Sequence, residues 1–334
     1  MPTGLSHAQR ESFDANGFLI VEDVIASEPL DALWAEYEDR LDEAARALHA
    51  RGRIQDLHAA DAFGERYTKL IAQAPEVFEY LDISYALNET LSETAVMHAG
   101  PAVFSVLTDP GLLDVVDSVI GPEIYSNPVQ HARIKPPQDA LTGEIAELSY
   151  VGRTTWHQDM GALTDDAEGS NIVTVWVAVT DAMEENGCLV AIPGSHRVDG
   201  GRLRTHCPGG AINAENFIPG RGLSPGERTP LPVRRGGIVL LNRYTEHAAL
   251  PNRSGSLRFS LDLRYNPIGQ ATGRPAFPGF VARSRSRPET ALRDPARWRQ
   301  LWLDAAEAIQ TGAYQGPIYE AERWKKHSGS PLCA

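Results

Sequence analysis

Two spacings of hydrophobic residues divide this chain. Up to about residue 122 the apolar positions recur every three or four residues, the period of a helix buried along one face. Ser6 to Asn16 predicts a short helix, with Ser6 as its cap and Gly17 as its stop. Phe18-Leu19-Ile20-Val21 predicts a strand. A long helix begins at Ser27 or Glu28 and runs to about Leu48, its stripe formed by Leu30, Leu33, Trp34, Tyr37, Leu41 and Ala44. After the charge-rich stretch 50–64, a helical layer extends from Phe63 to about Leu107, broken at Pro75 and Gly100-Pro101. Asp109-Pro110 starts a further helix that ends near Gly121.

From Glu123 the pattern changes to short runs separated by Gly, Pro and Asp, which predict strands at 124–126, 129–135, 149–156, 172–179, 188–192, 231–234, 237–242 and 257–265. Eight runs without crossover helices predict an antiparallel jelly roll rather than a parallel α/β sheet. Two long connections, 136–143 and 199–230, interrupt them and are expected to wall the site. A helix is expected over Pro295 to Ile309. No break in composition separates two folds. One domain is expected, with a helical elaboration (about 1–122), a jelly-roll core (about 123–267) and a C-terminal extension (about 268–334).

Composition narrows the function. The chain has 334 residues, 42% of them hydrophobic, enough for a sizeable core. Its formal net charge of −13 argues against nucleic acid as a partner, which would need a basic footprint. No apolar run approaches the roughly 20 residues that cross a bilayer, and Met1 to Arg10 lacks the basic-then-apolar order of a secretory leader. The three cysteines, Cys188, Cys207 and Cys333, lack zinc-site spacing and are expected to be free thiols of a cytoplasmic protein, with Cys188 packed in an apolar run. The oligomeric state stays open between monomer and homodimer.

The candidate chemistry lies in Thr155-Trp156-His157-Gln158-Asp159. His-x-Asp sets an imidazole and a carboxylate on one side of an extended strand. His247, on another strand, would add a second nitrogen donor. Two imidazoles and one carboxylate on a triangular face suit ferrous iron and leave positions open for a cosubstrate and dioxygen. After ten intervening residues, His247 is followed by Arg258 in the β-like run Leu257 to Leu263, where its planar fork could hold a dicarboxylate such as 2-oxoglutarate.

The chain resembles the phytanoyl-CoA dioxygenase-like branch of the Fe(II)/2-oxoglutarate-dependent oxygenases. The resemblance rests on Trp156-His157-Gln158-Asp159, Val175-Trp176-Val177-Ala178-Val179, Asn186-Gly187-Cys188-Leu189, Ile192-Pro193-Gly194-Ser195-His196, His247 and Arg258. Weaker similarity extends to Arg133-Ile134-Lys135-Pro136-Pro137 and to Phe13 through Phe18. It implies a mainly β fold, a double-stranded β-helix core with accessory helices. It also implies Fe(II) on His157, Asp159 and His247, with 2-oxoglutarate and O2 as cosubstrates.

Arg258 would then pair with the distal carboxylate of 2-oxoglutarate, Ser260 would add a hydroxyl from the same strand face, and Trp176 would lie against the cosubstrate. Gln130 would enter the barrel mouth, with His131 and Arg133 on the opposite face. The implied reaction hydroxylates an unactivated C–H bond of a small molecule, a biosynthetic intermediate for example, releasing succinate and CO2. Asp159 opposes halogenation, since related halogenases lack that carboxylate. His196 is expected to be structural. Competing readings are a phytanoyl-type acyl-CoA hydroxylase, with Arg197, Arg202 and Arg204 or Arg283, Arg285 and Arg287 facing the phosphates; a desaturating, cyclising or endoperoxide-forming enzyme; and a jelly-roll binding protein without catalysis.

Overall fold

The computed structural model describes residues 4–86, 91–148, 150–152, 154–208, 216–318, 324 and 329–333. The first helix, α1 (His7–Asn16), starts where Ser6 and Gln9 exchange side-chain and backbone hydrogen bonds, and it stops at Gly17, whose φ of 79° is the left-handed turn a glycine allows. Strand β1 (Phe18–Val21) follows, then α2 (Ser27–Ala50), α3 (Phe63–Gln73), α4 (Val77–Leu81), α5 (Pro101–Leu107) and α6 (Pro110–Ile120). Residues 82–86 and 91–100 are irregular, so the expected helical layer is shorter than its apolar content suggested.

The β-strands that follow are β2 (Ile124–Ser126), β3 (His131–Lys135), β4 (Thr154–His157), β5 (Val173–Ala178), β6 (Leu189–Ala191), β7 (Thr229–Leu231), β8 (Ile238–Asn242), β9 (His247–Ala249), β10 (Arg258–Pro267) and β11 (Phe280–Arg283). Helix α7 (Pro295–Gln310) follows. Among the described residues the major sheet runs β1-β8-β5-β10-β2-β11, with β3 also paired to β10, and the minor sheet runs β4-β9-β6-β7. Every pairing is antiparallel. This is the expected jelly roll, a double-stranded β-helix.

Three differences from the sequence pattern have physical causes. Of the expected strand 149–156, residues from Thr154 onward form β4 and 150–152 turn, while 149 and 153 lie outside the described residues. The run expected at 231–234 is displaced to Thr229–Leu231, leaving Val233 in a lone bridge with Ala182. Strand β9 was not among the eight runs read from the pattern, although His247 was placed on a strand for its chemistry, because His247-Ala248-Ala249 is too short to show alternation.

The central strands of the major sheet are buried on both faces, so β5 and β8 are almost wholly apolar while β10 alternates apolar and polar side chains. On β10, Phe259, Leu261, Leu263 and Tyr265 join Val173, Val175 and Val177 of β5 in the core against Leu30, Leu33, Tyr37 and their helical neighbours. Burying each such aliphatic or aromatic side chain contributes roughly 1.5–3 kcal/mol. The opposite face looks into the barrel, where Trp176, Ala178, Val239 and Leu241 pack with Leu189, Ala191 and Ala249 of the minor sheet. Arg258, Ser260, Asp262 and Arg264 share that inward parity.

The cysteine expectation fails at two positions. Cys207 and Cys333 are joined by a disulfide, which clasps the 199–230 connection to the C-terminal segment. Arg221 reinforces the clasp by donating to the backbone oxygens of Leu332 and Pro331. Cys188 is free and buried as expected, and burial pushes its thiol up to about 11.

Candidate metal centre

His157 ends β4 and His247 begins β9, and the two are cross-strand partners. The register of β4 slips between Thr154 and His157, a bulge that re-aims the end of the strand. The two imidazoles lie 4.2 Å apart, centre to centre. Asp159 stands just past β4, on the first residue of a short 3-10 turn, and is buried.

The donor chemistry of the three residues fits a divalent metal. His157 Nδ1 donates to Thr155 O at 2.8 Å and His247 Nδ1 donates to Thr245 O at 3.0 Å. With each proton fixed on Nδ1, both Nε2 lone pairs are left to ligate. Each Nε2 lies 3.9 Å from an oxygen of Asp159, and the ligand atoms all fall within 4.8 Å of one another. Burial, and then the neighbouring His157, lowers the His247 pKa to about 4, so the ring is neutral and ready to bind at physiological pH. Burial alone would raise the Asp159 pKa, but Arg264, His247 and His157 outweigh it and hold the carboxylate ionised far below its usual range.

Two buried donors take the carboxylate, and neither was singled out from the sequence. Arg264 Nη2 donates to Oδ1, and Thr174 Oγ1 donates to Oδ2 at 2.6 Å. Arg264 and Thr174 are themselves cross-strand partners of β10 and β5. Gln158, between the ligands, ties the site to its surroundings. Its amide donates to Tyr244 O (2.7 Å) and accepts from Arg204 N (2.6 Å), while its backbone N–H donates to His206 Nε2 at 3.1 Å.

Farther along the inner face of β10, Arg258 is buried with no carboxylate partner among the described residues. Its Nη1 donates to Ser260 Oγ at 2.6 Å, its guanidinium lies 5.2 Å over the Trp176 ring, and its Nε has no partner. Burial, then Arg133, pulls its pKa down from the arginine value. Arg258, Ser260 and Trp176 are thus brought together. Beside Arg258 in register stands Lys135, fully buried, whose Nζ donates to Thr154 Oγ1 across the barrel at 2.9 Å. Lys135 was not among the candidate site residues.

Gln130 is not brought to the site. Its amide donates to Ile83 O, and it shares the parity of Ala132 and Ile134, which pack on the helices. The parity of β3 is the reverse of the expectation. His131 and Arg133 oppose Asp262 and Ser260, on the inward face, and His131 Nδ1 pairs with Asp82 at 2.9 Å. His196 is buried and hydrogen-bonds through Nε2 to Asp14 O, the structural role expected of it. A groove of about 1460 Å³ beside α2 and α3, lined by Trp34, Lys69, Pro137, Thr180 and Leu257, contains none of these residues.

Comparisons with known proteins identify the family and the fold. The phytanoyl-CoA dioxygenase (PhyH) family profile matches residues 13–260. "Phytanoyl-CoA dioxygenase domain-containing protein 1" of Bos taurus is 23% identical over 260 residues, covering 76% of this chain and 87% of the relative. Its Danio rerio counterpart is 38% identical over 109 residues, 32% of this chain and 37% of the relative. Among solved structures, the apo non-heme monooxygenase ThoJ shares the fold at 19% identity and a TM-score of 0.53, covering 90% of this chain and 94% of its own.

Proposed function

The chain belongs to the phytanoyl-CoA dioxygenase family of Fe(II)/2-oxoglutarate-dependent oxygenases, and from that premise we propose that His157, Asp159 and His247 hold Fe(II) and that Arg258 anchors 2-oxoglutarate. The observation that carries this reading is a buried guanidinium that meets no carboxylate among the described residues, inside the barrel that also buries the His-Asp-His set. An uncompensated buried cation costs several kcal/mol, which the distal carboxylate of 2-oxoglutarate would offset.

Bound iron would supply the oxidation of a C–H bond, coupled to conversion of 2-oxoglutarate and O2 to succinate and CO2. The chain's own residues do the remaining work. Thr155 O and Thr245 O hold the two imidazoles with Nε2 inward. Ser260 and Trp176 fix the Arg258 fork, and Ser260 presents its hydroxyl beside it. The apolar lining of Val239, Leu241 and Leu189 excludes water from the barrel interior.

We take the substrate to be a small molecule that is hydroxylated. The ligands are enclosed, with the His157 side chain, at 22% exposure, the most open of the three. His131 and Arg133 on the inward face, together with the 199–230 connection, are the residues we assign to substrate choice.

The family's name supports an acyl-CoA substrate as a second reading. Against it, three of the arginines that would meet the phosphates already face carboxylates: Arg283 with Asp114, Arg285 with Asp117, and Arg204 with Asp199 and Glu246. No helix among the described residues is long and apolar enough to cross a membrane. A cytoplasmic location and the absence of a nucleic-acid partner remain part of the proposal. The Cys207–Cys333 bridge weighs against the first, since a reducing cytosol keeps most such bridges open.

The test is succinate formation from 2-oxoglutarate with added Fe(II) and ascorbate across a metabolite and acyl-CoA panel, with products read for a mass gain of one oxygen. Oxygenated product from an acyl-CoA alone selects the second reading. Failure of the iron-loaded protein to bind 2-oxoglutarate at all sinks the first.

A further inference from the structure

Asp159 differs from the two histidines in how it is held. Each histidine is fixed by a hydrogen bond to a backbone carbonyl two residues before it. Asp159 lies beyond the end of β4, and rotation of its carboxylate about the last side-chain bond is intrinsically broad. What stops that rotation comes from the other sheet. Arg264 on β10 and Thr174 on β5, cross-strand partners on the inward face, each take a different carboxylate oxygen. Arg264 is itself anchored, because its Nη1 donates to Val129 O at 3.1 Å. All three side chains are buried, so no water competes for these bonds.

We propose that Arg264 and Thr174 are positioning residues that fix the plane of the Asp159 carboxylate and so set how the two-histidine, one-carboxylate set takes up a divalent metal. The inference rests on the metal-site reading above. With both oxygens already engaged by second partners, the carboxylate is held to one orientation before metal arrives, and the cost of ordering it is met during folding rather than binding. The alternative is that the Arg264–Asp159 pair only neutralises a buried charge and holds the two sheets together. That role would show in stability and leave metal uptake untouched.

The test titrates the full-length metal-free protein with Co(II), following the visible d–d absorption, which reports coordination as well as occupancy, alongside thermal unfolding of each variant. Thr174→Val keeps the shape of the side chain and removes only the hydroxyl. It is expected to weaken Co(II) binding about 10-fold and to alter the d–d band, with Thr174→Ser restoring both. Arg264→Met is expected to weaken binding roughly 10–100-fold, with Arg264→Lys recovering part of the loss.

If Thr174→Val binds Co(II) within about twofold of the parent with an unchanged spectrum, whatever happens to its melting temperature, the inference is overturned. His157→Ala separates the metal site from its supports. Should it too retain Co(II) affinity, the metal site itself is wrong; should it lose binding while Thr174→Val does not, only the positioning role fails. Where Arg264→Met does not fold, the Thr174→Val titration decides between the two roles by itself.

Discussion

The Arg258 guanidinium lies 5.2 Å above the centre of the Trp176 ring and meets no carboxylate among the described residues. A ring face screens the cation on one side and leaves its fork to whatever anion enters. Arg258→Ala is therefore expected to raise the 2-oxoglutarate concentration needed for half-saturation by roughly 100-fold, in line with losing one partner of a buried charged pair, with smaller effects on metal affinity. Fluorescence titration of the metal-loaded protein with 2-oxoglutarate measures it. Unchanged affinity removes Arg258 from the cosubstrate site.

Loss of a proposed metal ligand should be more severe than loss of its supports. His157→Ala and Asp159→Ala are expected to lower Fe(II) affinity beyond the roughly 10–100-fold typical of outer partners, and to abolish turnover. Metal content after equilibrium dialysis checks this. Full activity in His157→Ala would refute the assignment.

His196 makes a pH prediction away from the metal. Burial is the main cause lowering its pKa below the ordinary value of 6.5. The unfolded chain therefore takes up the proton first as pH falls, and the unfolded state binds more protons below pH 6.5. The His196 contribution is present in full above that value and is lost as pH drops through 6.5 toward the folded pKa. Melting temperatures of the metal-free protein between about pH 7.5 and 5 should fall, and His196→Gln should flatten the slope. An equally steep slope in the variant assigns the effect elsewhere.

The Cys207–Cys333 bridge spans 126 residues of sequence. Constraining an unfolded chain over a loop of that order contributes up to about 4–5 kcal/mol in the chain-entropy account. Cys333→Ser, or reduction by a dithiol, is expected to lower the melting temperature by several degrees. Identical unfolding curves with and without reductant would show that the bridge carries no such weight.

The jelly roll and the meeting of His157, Asp159 and His247 were legible in the sequence, while the supports around them were not. His157, Asp159, His247 and Arg258 could be read because their side-chain types and order carry the chemistry whatever the local structure. The strand under His247 could not, since three residues show no period. Gln130 was assigned to the wrong face for a related reason. Both faces of β3 are largely covered, so alternation locates two faces without saying which one is the chamber. Arg264 and Thr174 were hidden because a polar side chain on a covered strand carries no sign of its partner, and only the register of β10 on β5 brings them to Asp159. Pairing of Cys207 with Cys333 has no local signal at all.

Strand β10 interleaves two inventories, hydrocarbon at 259, 261 and 263 and hydrogen-bonding groups at 258, 260 and 264. A slip of one residue would exchange them wholesale, driving phenyl and isobutyl groups into the chamber and guanidinium groups into the grease beneath the helices. The helical core and the chamber are therefore built on one strand and share its register. Any engineering campaign that repacks around Phe259 or Leu263 should expect its gains and losses to surface on both faces of β10.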